Sequence, residues 1–202
     1  MKNLQQISAL DFRNNRAQLL WSYLLRLAGL FIFGAFFLWI TRLFHPKAQI
    51  SLISLLNIEL EPLPGFTSIL LIILDVAFVL YVHELVHASV FYIMHKQPPK
   101  IGIKGLVIYA AAPSQMIRRN PMIINALAPF AIISVTGIIL IGIINYNYIS
   151  WVFIPAVINA AASGGDFMAV AWMLQHKKST VYRDVGDITE AFEPVQNHHS
   201  GK

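Results

Sequence analysis

Apolar positions along this chain gather into four long runs separated by short polar stretches. Residues 19–40 carry one charge, Arg26. Residues 66–94 carry Asp75 and then His83, Glu84 and His87. Residues 122–144 carry none, and residues 151–174 carry only Asp166. About 20 apolar helical residues cross a bilayer core of about 30 Å, so each run predicts one spanning helix. Between the second and third runs, Ile101 and Ile103 alternate with Gly102 and Lys104, and β-branched residues continue to Tyr109. That alternation predicts a short strand or hairpin. An edge strand there would be able to hold an extended substrate by strand addition; a plain connecting hairpin is the alternative. Residues 50–58 space their apolar positions at both two and three, which fits an interfacial helix on the outer face. The expected fold is an all-α membrane protein of about four transmembrane helices, with a short β-strand or hairpin between helices two and three.

Composition agrees with this pattern. The chain has 202 residues, 56% hydrophobic and 12% charged, where a soluble domain carries roughly 25% charge. The mean hydropathy is +0.60. So apolar a chain cannot hide its side chains in one water-soluble core, which excludes a soluble Rossmann or barrel enzyme and a disordered chain. There is no cysteine, so disulfides, thiolate catalysis and Cys-based zinc sites are excluded.

The formal net charge is +5. Its placement follows topology rather than a nucleic-acid partner. If both termini are cytosolic, thirteen Lys/Arg lie inside and only Arg42 and Lys47 outside; Arg26 is counted inside because it can snorkel to that end. The positive-inside rule favours this orientation. The first run is too long for a signal peptide, and Thr41-Arg42-Leu43-Phe44-His45-Pro46 has no small-residue cleavage site, so it reads as a retained span. The expected organisation is a cytosolic segment 1–18, a polytopic membrane domain 19–174 with its core at 66–174, and a polar cytosolic tail 175–202, soluble and partly disordered. The cell membrane is the expected location.

Chemistry concentrates in Tyr81-Val82-His83-Glu84-Leu85-Val86-His87. In H-E-x-x-H on a helix, His83 and His87 lie four apart and share a face, so they can fill two corners of a zinc tetrahedron. Glu84 beside them can take a proton from an activated water. At this chain's residue frequencies such a match is expected about 0.006 times by chance, and three ionisable groups within a membrane span are costly. A catalytic zinc needs a third protein ligand. Asp166, the lone ionisable group of the last run, is the best candidate, flanked by the small residues Ser163, Gly164 and Gly165 that allow close helix approach or local unwinding. The alternative is a carboxylate bonded to backbone in a helix break. Asp75 lies about 12 Å along the helix from His83, too far for the same metal, and reads as a buried polar contact or a proton-path residue. His95 reads as interfacial.

These residues resemble the zincin peptidases related to the site-2-protease group of intramembrane metalloproteases. The resemblance rests on His83-Glu84-Leu85-Val86-His87 within a span, the strand-like stretch after it, Arg119-Asn120-Pro121 leading to Asn125-Ala126-Leu127-Ala128-Pro129, and Asn159 with Asp166 in the last span. It covers residues 66–174. It implies a three-helix catalytic core with Zn2+ near the cytosolic side, held by His83, His87 and Asp166, with Glu84 as general base. It also implies that Asn159 polarises or positions the scissile peptide. Phe167 follows Asp166 where that group has a glycine, and no PDZ-like domain is inserted.

The expected function is zinc-dependent hydrolysis of peptide bonds in membrane-spanning or membrane-associated substrates, in contact with the lipid bilayer and without nucleic acid. A helical substrate must unwind first, and Gly164, Gly165 and the 100–109 strand are the parts that can support it. Two rivals stay open: a non-catalytic metal-binding membrane protein (sensor or scaffold), and a small ion transporter using Asp75, Asp166 and the histidines.

Overall fold

The structure, a computed structural model, describes residues 4–47, 51–56, 65–96, 98–104 and 107–195. Strand β1 (Leu4–Asp11) leads into helix α1 (Arg16–Phe44). Asn15 caps that helix, its side chain accepting from the Ala17 and Gln18 N–H groups, which satisfies donors left orphaned in the first turn. A single turn, α2 (Leu52–Leu55), precedes the long α3 (Gly65–His95). Strands β2 (Lys100–Lys104) and β3 (Val107–Arg118) lead into α4 (Arg119–Ile143). Helices α5 (Ser150–Ala162) and α6 (Gly164–Leu174) follow, then β4 (Val181–Asp184) and β5 (Ile188–Pro194).

Four helical stretches are long and apolar enough to cross a membrane: α1, α3, α4 and the pair α5–α6 taken together. They coincide with the four apolar runs. The last is broken at Ser163, a buried residue whose N–H and hydroxyl both reach the Asn159 carbonyl. Of the interfacial helix expected over residues 50–58, only the turn Leu52–Leu55 is seen; Ile50 and residues 57 and 58 lie outside the described residues.

The fold is not all-α. A five-stranded antiparallel sheet, in the order β1-β5-β4-β3-β2, joins the N-terminal segment, the α3–α4 connection and the C-terminal segment. The β2–β3 hairpin falls where alternation predicts it. Within the polar tail, residues 181–194 hold two strands that the sequence pattern does not anticipate. Its charges conceal an apolar set. Tyr182, Ala191 and Phe192 are buried, while Arg183 pairs across the strands with Glu190 at 2.6 Å. Burial of that set, not local propensity, orders the tail.

Two apolar clusters hold the molecule. One gathers Phe37, Ile141, Phe153 and Val157 from α1, α4 and α5. The other gathers Phe91, Met122, Met173 and Tyr182, and so fastens the sheet to α3, α4 and α6. The Tyr182 hydroxyl donates to the Met173 carbonyl, and Arg119 donates to the His176 carbonyl at 2.7 Å. These contacts fix the sheet at the end of the helices next to the site described below.

Candidate metal centre

His87 lies eight residues before the end of α3, and Asp166 eight before the end of α6. Each is therefore about 12 Å along its helix from the sheet-side end. At that depth three side chains converge. His83 Nε2 lies 3.3 Å from one Asp166 oxygen and His87 Nε2 3.6 Å from the other. One ligand atom from each of the three falls within 4.8 Å of the others, and both histidines are buried.

Each imidazole is held from behind. His87 Nδ1 hydrogen-bonds to the Asn125 carbonyl at 3.0 Å, and His83 Nδ1 to Asn159 Oδ1 at 2.9 Å. Both partners are acceptors, so each ring carries its proton on Nδ1 and turns the lone pair of Nε2 toward Asp166. The Asn125 carbonyl is free for this because of sequence. Pro129 lies four residues on, inside α4, and has no N–H to close the helical bond onto that oxygen. The Asn125-Ala-Leu-Ala-Pro129 stretch thus orients a histidine on another helix.

Two lone pairs and a carboxylate now face one another, which is unfavourable unless a cation lies between them. Zinc bonds of 2.0–2.2 Å in a tetrahedron set ligand atoms about 3.4 Å apart; one donor atom from each residue lies within 4.8 Å of the others, near enough for a small side-chain adjustment to close on an ion. Two nitrogens and a carboxylate oxygen are a donor set suited to zinc. The residues fit the ion.

Glu84 is one residue on from His83 and takes no part in the triad. Its Oε2 accepts the Ala110 N–H of β3 at 3.0 Å, so the sheet aims the carboxylate. No ion pair links Glu84 to Arg26 among the described residues. Glu84, His87 and Asp166 line a cavity of about 580 Å3, together with Arg26, Gly165 and Asp184. Asp184 enters from β4, and sequence reasoning missed it because it stands in a stretch read as a polar, partly disordered tail. Burial pushes its carboxyl up to about 7, against a smaller opposing effect of the Gly186 N–H it accepts at 2.7 Å.

The remaining candidates fall as follows. Asn159 is fully buried behind His83 and is not among the residues lining the cavity. A Cβ on Gly164 would come within 2.8 Å of the Arg26 backbone nitrogen, so that glycine permits α1 and α6 to touch. Gly165 lines the cavity. Asp75 is half-buried and remote from the triad, and it makes no hydrogen bond or ion pair among the described residues; the polar contact expected of it is not seen. The side chain of His95 lies outside the described residues. Strand β3 is paired with β2 over Val107–Ala111 and with β4 from Ala112 onward. On its β4 side, ahead of Ala112, the N–H of Ala110 goes to Glu84.

Residues 76–182 match the family model described as "Putative zincin peptidase". No curated protein and no solved structure matches the chain.

Proposed function

Because the chain belongs to the "Putative zincin peptidase" family, we propose that it is a zinc metallopeptidase acting within the membrane. Its substrates would be membrane-spanning or membrane-associated polypeptides. The convergence of both His Nε2 atoms on Asp166, with Glu84 beside them at one cavity, carries the reading.

His83, His87 and Asp166 would hold the ion. When bound, zinc supplies a Lewis acid that acidifies water and polarises a peptide carbonyl. Glu84, steadied by the Ala110 N–H, takes the proton of the attacking water and passes it to the leaving amine. Asn159 and the Asn125 carbonyl keep the imidazoles in one tautomer and one orientation. An unwound substrate can lie along β3 ahead of Ala112, next to Glu84. A pure binding site has no use for Glu84, which is the reason to prefer catalysis over a sensor or scaffold.

The sheet side is cytosolic in this reading, with both termini there. The charge count supports the cytosolic side, and the sheet supports only that its three segments share a side. The positive-inside count places the N-terminus, the α3–α4 connection and the C-terminus together, and strands from those same three segments hydrogen-bond in one sheet. A site about 12 Å from that end is within reach of water through the cavity.

Zinc-loaded protein in detergent, incubated with a pool of peptides from membrane proteins, is expected to give new termini by mass spectrometry. Glu84→Gln should slow cleavage at least 100-fold while zinc stays bound. Cleavage that survives Glu84→Gln, or removal of the metal, would contradict the proposal.

A further inference from the structure

Arg26 is the one charge in α1 between Arg16 and Arg42. It is exposed and lies seven residues into the apolar run that starts at residue 19, about 10 Å along the helix; an ionisable group within a span marks function by default. Its side chain lines the cavity that also holds Glu84, His87 and Asp166. The surroundings make room for it there. A Cβ on Gly165 would stand 3.3 Å from a guanidinium nitrogen, one residue before Asp166, and the Tyr23 ring lies 5.6 Å beneath the guanidinium carbon.

Among the described residues no ion pair joins Arg26 to the carboxylates that line the cavity with it, Glu84, Asp166, Asp184 and Asp187. Asp166 faces the two imidazoles, Glu84 accepts from Ala110, and Asp184 accepts from Gly186. No ion pair of Arg26 exists among the described residues. We infer that Arg26 binds a carboxylate of the substrate and so sets the specificity of the cavity. The planar fork of an arginine matches a carboxylate with two parallel hydrogen bonds. The carboxylate comes from the substrate's C-terminus or from an Asp or Glu side chain near the scissile bond.

This inference rests on the peptidase reading, but binding tests it without cleavage. The full chain, zinc-loaded in detergent and carrying Glu84→Gln, is titrated with a fluorescein-labelled apolar peptide in three forms. One ends in a free carboxylate, one in an amide, and one in an amide with a single internal Asp. Fluorescence anisotropy should show at least one carboxylate form binding about tenfold tighter than the plain amide. Which form gains identifies the source. Arg26→Gln should erase the difference, and Arg26→Lys should shrink it. Equal binding of all three forms would overturn the inference, as would a preference that Arg26→Gln leaves intact. If Arg26→Gln fails to bind zinc, Arg26→Lys decides, and an undiminished preference overturns the inference. A carboxylate preference in a protein whose Glu84 form cuts no peptide would sink the peptidase reading and leave this inference standing.

Discussion

Both imidazoles at the centre are fixed by acceptors, one a side-chain oxygen and one a backbone carbonyl. That arrangement sets which nitrogen can bind metal, so its loss should show first in affinity. Asn159→Leu removes the acceptor behind His83 and is expected to weaken zinc binding about 10- to 100-fold, read by competition with a chromophoric chelator; unchanged affinity would dismiss Asn159 as an orienting group. Asp184 gives a pH prediction. Its folded carboxyl titrates near 7, above the ordinary carboxylate value. Between those two values the folded state holds a proton that the unfolded state has released, so stability falls as pH rises through that window. Thermal melting of metal-free protein should decline from about pH 4 to about pH 7, and Asp184→Asn should flatten that decline; equal slopes in both proteins would refute it. At this scale His83, Glu84, His87 and Asp166 were legible in the sequence, because ionisable side chains inside apolar runs stand out. The Asn125 carbonyl and the Ala110 N–H were not, since backbone groups have no letter of their own. Pro129 was the available signal for the first.

Among the elements, the helices were the most legible, because long uninterrupted apolar runs admit one reading in a bilayer. Strands β4 and β5 were hidden by Arg183, Asp184, Glu190 and Glu193, whose charges masked the small apolar set Tyr182, Ala191 and Phe192. The sheet is assembled from three distant segments, and nothing local announces such pairings. Pro129 and Gly164 show what single positions do for whole elements. Pro129→Ala restores an N–H that competes for the Asn125 carbonyl. Zinc affinity should drop while thermal stability holds or rises, a split that isothermal titration and melting curves together would reveal; a parallel loss of both would count against the account. Gly164→Ala places a Cβ against the α1 backbone, which cannot give as a flexible side chain would. A loss of about 1–3 kcal/mol is expected from such overpacking, measured by denaturant unfolding in detergent.

Taken as a whole, the molecule is four membrane-length helical stretches with a sheet closing one end and a cavity lined by several charged residues beside the triad. The sheet aims Glu84, α3 and α6 bring the triad together, and α1 adds a cation to the cavity wall. Each contribution presumes that the triad holds a metal. Elemental analysis of detergent-purified protein tests this most directly, comparing the unmodified chain with His83→Ala and Asp166→Ala. The account predicts about one zinc per chain, lost or sharply reduced in both variants. Zinc retained in Asp166→Ala would move the third ligand elsewhere, and no zinc in the unmodified chain after reconstitution would contradict the account.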